Sequence, residues 1–447
     1  MRVRRPAYPQ AVAKLPWDLR ISLFAVQALF LTTVYSEIVG HATLFFVGSF
    51  NLTIAEPTLA LSMATVIVLL VCRTPHFDFR ILLLAAISSL TFMSFLRGLM
   101  VGPYEALFSL RANGPFTATL LLSCLLPMNP EFWSRIERTI VLAGLMLAGL
   151  AYLRLVLGPT FLIQMQFLDE TAINDGGRAL SSQGAVIIGA AVLLQMRQVW
   201  QQKGFSLVSL CILVPGLLLS RQATASLATM CGFVILISLQ PGPTRPLRIW
   251  LAGLGIFLVL FCVLIVPSIV DPDTLEAVAP KAIVGDLLRR SQTLDTRQFV
   301  WAGLMRDFYG WSVEDQLFGL PAGVKPSIVI PLWGGLVWKA SIHSMYFGLL
   351  PQIGIVGLAL YLVLLLAFAA RAFTLSMSSS NEQRGPMIAA LTVLVAIFGF
   401  SYELRGAIAV LFLLIAQQAR ARSHGISSPG NSRPAFGARV RPLDQAR

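Results

Sequence analysis

The chain has 447 residues, of which 56% are hydrophobic and only 12% charged, with a mean hydropathy of +0.76. A soluble domain carries about 25% charged residues, so this composition excludes a soluble globular protein and predicts a multi-pass membrane protein. The net charge of +13 raises the alternative of a nucleic-acid-binding protein. The positive residues collect in short loops and in both tails, as the positive-inside rule requires, so we expect no nucleic-acid partner.

The apolar residues fall into separate runs, and a run of about 20 such residues can cross a bilayer as a helix. The sequence therefore predicts an all-α fold with about 12 transmembrane helices, near 21–36, 58–72, 81–100, 113–127, 138–157, 183–197, 204–220, 222–239, 249–268, 345–370, 386–402 and 404–418. Residues 21–268 would hold the helices before a long loop, and residues 343–418 those after it. Residues 1–20 and 419–447 are predicted tails, the second of them disordered because Ser, Gly, Pro and Arg dominate it.

The basic residues predict the orientation of the chain. The first outer loop, near 37–57, contains no Lys or Arg, whereas alternate loops along the chain are basic. Because cytoplasmic loops retain Lys and Arg, both termini are predicted to lie in the cytoplasm. Residues 269–342 then form one large periplasmic loop, and loops of that length usually have a function. Within the loop, Phe299 to Phe308 is an amphipathic stretch.

Little in the sequence indicates a metal or a cofactor. Asp271-Pro272-Asp273 is similar to the paired carboxylates that hold a divalent cation, but the proline and the position just after a span favour a turn. The cysteines lie in or at the ends of apolar runs, and we expect buried thiols without a disulfide or zinc site; they are Cys72, Cys124, Cys211, Cys231 and Cys262. We expect no metal and no cofactor.

One of the four histidines stands apart from the others. His76 and His424 lie on the predicted cytoplasmic side, and His41 lies in the first outer loop. His343 lies where the large loop meets a span, at the predicted boundary of water and lipid. A lone histidine is more often a structural hydrogen-bond partner than a catalyst. At this boundary, however, it could act as a base near neutral pH.

Several arginines lie on the predicted outer side, which the positive-inside rule should deplete. Arg221 stands between two adjoining spans, where a charge is costly unless it has a partner or faces a wet cavity. Arg297 precedes Trp301 by four residues, so the two share a face if this segment is helical. The other candidates precede a span or lie in the large loop, namely Arg178, Arg289 and Arg290. Snorkelling at a helix end is the alternative for each of them.

A histidine and several arginines on the outer side fit a glycan carried on a pyrophosphate lipid. The pyrophosphate is an activated, anionic leaving group, and arginines hold such groups by charge-assisted hydrogen bonds. The incoming sugar hydroxyl needs a base, which histidine supplies.

A pair of opposite charges, Glu403 with Arg405, occupies the turn between the last two spans. A structural ion pair is favoured there, with a role in orienting the substrate as the alternative.

The spacing of these residues resembles that of the O-antigen ligase and polymerase family. His343-Ser344, followed by nine residues, Gly354, two residues and Gly357, is similar to the signature of that family, and so is the continuation Leu358 to Leu365. Other segments resemble further parts of the family pattern over about residues 175–370: Ser220-Arg221, Arg297 with Trp301, Leu317-Phe318-Gly319-Leu320-Pro321, and Gly177-Arg178 with Ser181 to Ala185.

The resemblance implies a GT-C-like, metal-independent glycosyltransferase of the bacterial inner membrane. It would make His343 the catalytic base and Arg221 and Arg297 ligands of the pyrophosphate, with Arg178, Arg289 and Arg290 as further candidates for binding substrate. Ser344, Gly354, Gly357 and Trp301 would be structural. We interpret the glycine pair as a site of close helix packing that fixes the position of His343.

Three activities stay open. The favoured one is a polymerase that joins repeat units of O-antigen or exopolysaccharide on undecaprenyl pyrophosphate. The second is a ligase that transfers the glycan to lipid A-core in lipopolysaccharide biosynthesis. The third is a transporter or flippase, which usually shows pseudo-repeated halves, and we detect none here. The expected partners are the lipid-linked oligosaccharide, an acceptor glycan or lipid A-core, and membrane lipids.

Overall fold

A computed structural model of the chain describes residues 15–39, 43–47, 50–73, 78–126, 129–158, 161, 179–200, 205–240, 244–264, 297–326, 328–330, 336–338, 342–377, 384–402, 411 and 414–416. The described part is a helical bundle with two small hairpins. Its helices are α1 (Trp17–Val39), α2 (Ala55–Cys72), α3 (Phe79–Val101), α4 (Pro103–Leu125), α5 (Pro130–Leu157), α6 (Ser182–Trp200), α7 (Phe205–Leu219), α8 (Ala223–Ser238), α9 (Arg245–Leu264), α10 (297–309), α11 (Val313–Phe318), α12 (Met345–Met377) and α13 (Arg384–Ser401).

The helices confirm a membrane protein that is mainly α-helical. Five of the described helices are long and apolar enough to cross a membrane: Ala55–Cys72, Phe79–Val101, Glu131–Leu157, Met345–Met377 and Arg384–Ser401. Shorter apolar helices occupy Ser206–Leu219 and Ala223–Ser238. Every predicted span before 404–418 falls on a helix. Most of 404–418, residues 1–14 of the first predicted tail and the whole second tail lie outside the described residues, whereas the end of the first tail, from Trp17, is already part of α1.

The core of the bundle is built around α6, which packs against α5, α7, α8 and α13. Its residues from Gly184 to Gln195 are all buried. Small residues bring the helix backbones together: a methyl group at Gly189 would lie 2.1 Å from Thr229 Oγ1 of α8. One at Gly232 of α8 would lie 2.9 Å from the carbonyl oxygen of Ala390 in α13. Membrane helices associate through such small residues because lipid provides no hydrophobic drive between them.

Two antiparallel hairpins interrupt the helical pattern. β1 (Thr43–Val47) pairs with β2 (Phe50–Thr53) in the first predicted outer loop, and β3 (Ile328–Ile330) pairs with β4 (Leu336–Trp338) in the large loop. The prediction of an all-α protein missed both. Their sequences are rich in aromatic and β-branched residues, which favour strands, but each run is too short for its alternation to stand out in an apolar chain.

The cysteines are only partly buried. Cys124 and Cys231 are buried as expected, but Cys72 and Cys211 are exposed on the bundle surface. The expectation that all the cysteines are buried is therefore wrong for those two. Both lie on apolar helices whose outer faces also expose large hydrophobic side chains, so an apolar run did not distinguish the core face from the outer face.

One end of the bundle gathers paired charges and is called the ion-pair end. Arg73 Nε lies 2.6 Å from Asp18 Oδ2, and Arg197 Nη2 lies 2.7 Å from Glu137 Oε2. These pairs join the end of α2 to the start of α1, and the end of α6 to the start of α5. The opposite end, at which α3, α7 and α13 finish and α6, α8 and α12 begin, is called the site end.

Candidate functional site

Arg221 and His343 share an unusual backbone conformation at the site end. Among the described residues they are the only non-glycine residues with positive φ, at 56° and 53°. A side chain in the left-handed region costs about 1–2 kcal/mol. Such strain concentrates at functional sites, where the surrounding structure maintains it. Both side chains are exposed.

The turn that carries Arg221 is held by its neighbours. α7 ends at Leu219 and α8 begins at Ala223, so Ser220, Arg221 and Gln222 form the whole connection. Ser220 Oγ donates to the Leu217 carbonyl at 2.6 Å and accepts from the Gln222 N–H at 3.3 Å. The Ser220 and Gln222 side chains are buried. The turn therefore presents the Arg221 side chain outward between two buried neighbours.

The turn that carries His343 is held by a tryptophan. Trp301 Nε1 donates to the carbonyl oxygen of Ile342 at 3.0 Å. The indole also stacks on Phe347, with ring centroids 4.9 Å apart, and meets the edge of Phe400 at 5.5 Å. These contacts lock the peptide that precedes His343. Trp301 thus supports the turn of His343 through its N–H group as well as its ring.

Arg297 lies on the same helix as Trp301, four residues before it. Residues 297–309 are helical, so the condition under which Arg297 and Trp301 share a face is met. The Arg297 guanidinium carbon lies 5.1 Å from the centroid of the Tyr402 ring, within the range of a cation–π contact. Among the described residues, Arg297 belongs to no ion pair with a carboxylate.

Tyr402 connects Arg297 to the turn that carries Arg221. Its ring stacks on the buried Phe398, with centroids 5.1 Å apart. Its hydroxyl donates to Gln222 Oε1 at 3.3 Å. Gln222 directly follows Arg221, so one line of contacts joins the two arginines that the sequence selected, and Trp301 extends it to His343.

A further contact reaches toward Arg178. Gln222 Nε2 donates to the Leu180 carbonyl at 3.0 Å, and Arg154 Nη1 donates to the neighbouring Ala179 carbonyl at 2.8 Å. Both donors are buried. They fix the backbone just after Arg178, which itself lies outside the described residues.

Residues 312–323, which contain α11, form a segment that we call the clasp. Arg97 of α3 binds it through the Gly319 carbonyl at 2.7 Å and Asp315 Oδ1 at 2.6 Å. Ser94 donates to the Leu320 carbonyl at 2.9 Å. On its other side, the Leu320 N–H donates to the Pro351 carbonyl of α12 at 2.8 Å. The clasp thus ties α3 to the first turns of the helix that follows His343.

Gly354 and Gly357 both lie in α12 but have different surroundings. Gly354 breaks α12 with φ 67° and ψ −170°, just after Pro351. A methyl group there would lie 2.2 Å from the Leu317 carbonyl oxygen of the clasp. One at Gly357 would lie 2.2 Å from Ile353 Cγ1 of its own helix. Gly354 therefore permits a kink in α12 and the close approach of the clasp, which contains the short helix α11, whereas the crowding at Gly357 comes from its own helix.

The structure brings together Arg221, Arg297, Trp301 and His343, with Ser344 buried next to His343. The other predicted positions lie outside the described residues: Arg178, Arg289, Arg290, Asp271, Asp273, Glu403, Arg405, His41, His76 and His424. Sequence reasoning missed Gln222, Tyr402 and Arg97. Gln222 had one signal, its place in the turn of Arg221. Tyr402 had none beyond its position at the end of a span.

Two guanidinium groups and one imidazole at the same end of a bundle can bind an anion and accept a proton. Arginine offers paired N–H donors to phosphate oxygens, and histidine is the side chain that most readily exchanges a proton near neutral pH. The amino-acid sequence was compared with protein-family models and with curated proteins. No family model matches the chain, and no curated protein matches it significantly.

Proposed function

We propose that the chain is a metal-independent glycosyltransferase of the O-antigen ligase and polymerase type. It would transfer a glycan from undecaprenyl pyrophosphate to a sugar hydroxyl on the periplasmic side of a bacterial inner membrane, with both termini in the cytoplasm. The supporting observation is the shared left-handed conformation of Arg221 and His343. Contacts through Gln222, Tyr402, Arg297 and Trp301 join these two strained residues.

The residues suggest the following chemistry. The His343 imidazole takes the proton from the acceptor hydroxyl as its oxygen bonds to the anomeric carbon of the donor glycan. The bond between that carbon and the pyrophosphate oxygen breaks, and its electron pair stays on the pyrophosphate. Arg221 and Arg297 hold the charged pyrophosphate both in the bound donor and after the bond breaks. Each charge-assisted hydrogen bond contributes about 1.5–3 kcal/mol, and a positioned base about 10²–10⁴-fold in rate.

The experiment that tests this proposal uses His343→Asn. Asparagine tolerates the left-handed backbone, so the turn should survive without its base. Purified protein in proteoliposomes would be given undecaprenyl-pyrophosphate-linked repeat units, and longer products would be counted. We expect a loss of about 10²–10⁴-fold in rate with an unchanged melting temperature. Full activity in His343→Asn would contradict the assignment of the base.

Within this type of enzyme, we favour a polymerase over a ligase, because no residue of the chain indicates a lipid A-core site. The two differ in the acceptor. A polymerase lengthens the glycan on undecaprenyl pyrophosphate, whereas a ligase delivers the glycan to lipid A-core. Supplying each acceptor to the same proteoliposomes separates the two activities.

The remaining alternative is a flippase for the lipid-linked glycan. A flippase would move the labelled donor across the proteoliposome membrane without making a new glycosidic bond. Movement of intact donor with no transfer to any acceptor would support the flippase. We disfavour it because a flippase does not need a base at the membrane surface.

A further inference from the structure

Tyr402 and Gln222 connect residues that otherwise lie far apart in the chain. Gln222 is buried, and both ends of its amide are used: Oε1 accepts from Tyr402 and Nε2 donates to Leu180. An amide is needed for this, because a carboxylate cannot donate and an ammonium cannot accept. Truncating Gln222 would leave the buried Leu180 carbonyl without this hydrogen bond.

Tyr402 is placed to hold Arg297 rather than a ligand. Its ring contacts the buried Phe398 and the Arg297 guanidinium, and its hydroxyl is bonded to Gln222. A cation–π contact uses the flat face of a guanidinium. A guanidinium carries five N–H donors, and a cation–π contact does not consume them as hydrogen bonds do, so they can still bind two oxygens of one anion.

We propose that Gln222 and Tyr402 are a positioning pair that fixes Arg297 relative to the turn of Arg221, so that both arginines engage the same pyrophosphate. This inference rests on the proposed function. It assigns neither residue a direct contact with the substrate. The pair acts before the chemical step. It orders the Arg297 side chain relative to Arg221, although the two positive charges repel each other and a free arginine side chain samples many rotamers. Its loss should therefore weaken binding of the donor more than it slows the chemical step.

The test measures KM for the lipid-linked donor and kcat in proteoliposomes. Tyr402→Leu removes both the ring and the hydroxyl, and we expect the donor KM to rise about tenfold with kcat within about twofold. Tyr402→Phe keeps the ring, so its KM should rise only about threefold. Gln222→Ala combined with Tyr402→Phe should be no worse than Gln222→Ala alone, because both remove the same bond.

A matched control is Tyr152→Phe. The Tyr152 hydroxyl also bonds a backbone carbonyl, that of Ile212 at 3.1 Å, but it joins α5 to α7. KM and kcat should stay at wild-type values in this variant. A donor KM in Tyr402→Leu equal to that of the wild type, or losses in the double variant that simply multiply, would overturn the positioning pair.

Hydrogen exchange separates this inference from the proposed function. In Tyr402→Leu, amide exchange over residues 297–304 should become several-fold faster, whereas Tyr152→Phe should leave it unchanged. If the wild type transfers no glycan but amide exchange is still faster in Tyr402→Leu, the proposed function is refuted, while the structural link between Tyr402 and Arg297 is retained. Normal transfer by the wild type, with exchange and KM unaltered in Tyr402→Leu, would refute the positioning pair alone.

Discussion

Two arginines at the same end of the bundle are held in opposite ways. Arg97 binds Asp315 and the Gly319 carbonyl and lies 3.5 Å from Glu314, so its charge is balanced within the protein. Arg297 lies over the ring of Tyr402 and, within the described residues, joins no carboxylate. The difference separates a cation that stabilises the fold from one that remains able to bind an external anion.

Ion pairs occur at both ends of the molecule, as Arg97 shows at the site end, but among the described residues the strained backbone of non-glycine residues lies at the site end alone. At the ion-pair end, Arg73 and Arg197 face Asp18 and Glu137 across neighbouring helices. Partly buried pairs of this kind fix the register of the helices. At the site end, the backbone around Arg221 and His343 is strained, and aromatic rings and backbone carbonyls provide the support. The position of an arginine in the sequence does not reveal which of these roles it has.

The largest effects on activity and on stability should come from replacing Arg297 and Arg97, one at a time, with alanine. Arg297→Ala should lower glycan transfer by about 100-fold, since it removes hydrogen bonds to a charged leaving group worth about 1.5–3 kcal/mol each. Its melting temperature should stay close to that of the wild type. Arg97→Ala should instead lower the melting temperature by several degrees, because it removes the ion pair with Asp315 and the hydrogen bond to the Gly319 carbonyl. Similar stability losses in both variants would remove the distinction between the two arginines.

The clasp provides a second contrast. Gly354→Ala adds a methyl group at φ 67° and 2.2 Å from the Leu317 carbonyl oxygen, and should destabilise the protein by about 2–3 kcal/mol. The control is Gly149→Ala in α5, where a methyl group meets no atom within 4 Å; there alanine should be neutral or slightly stabilising. Melting temperatures of the two variants in detergent test this, and equal values would show that the clasp does not require glycine.

A smaller effect is expected at the turn of His343. Trp301→Phe keeps an aromatic ring against Phe347 but loses the N–H bond to the Ile342 carbonyl. We expect about a fivefold loss in kcat, equivalent to about 1 kcal/mol for one hydrogen bond. Trp311→Phe is the matched control, since its indole donates to Asp307 within α10 and the turn after it. If both variants lower kcat equally, the tryptophan does not position His343.

Much of the helical part was predictable from the sequence, from which the candidate residues were also selected. Long apolar runs need α-helices in lipid because every backbone group must be satisfied internally, and the spans before 404–418 follow that rule. Arg221 and His343 were selected by residue type and position alone. Their shared left-handed backbone was not predictable: the turn of His343 is held by a tertiary contact with Trp301, and that of Arg221 by hydrogen bonds of Ser220 within the turn.

The side chains that hold the candidate site in place were missed because their partners lie far away in the sequence. Tyr402 and Gln222 are 180 residues apart in the chain, and Arg97 reaches a carbonyl 222 residues away. Composition and periodicity report local structure, so they cannot identify partners across such separations. The kink at Gly354 was also hidden, because a glycine pair in an apolar helix usually indicates close helix packing.

The most direct test of one shared pyrophosphate site is amide hydrogen exchange during titration with undecaprenyl pyrophosphate. We expect exchange to slow over residues 219–223, 297–304 and 342–346 together, with one common midpoint concentration. Arg297→Ala should abolish the protection in all three segments. Protection of only one segment, or separate midpoints for Arg221 and His343, would contradict a single site built from these residues.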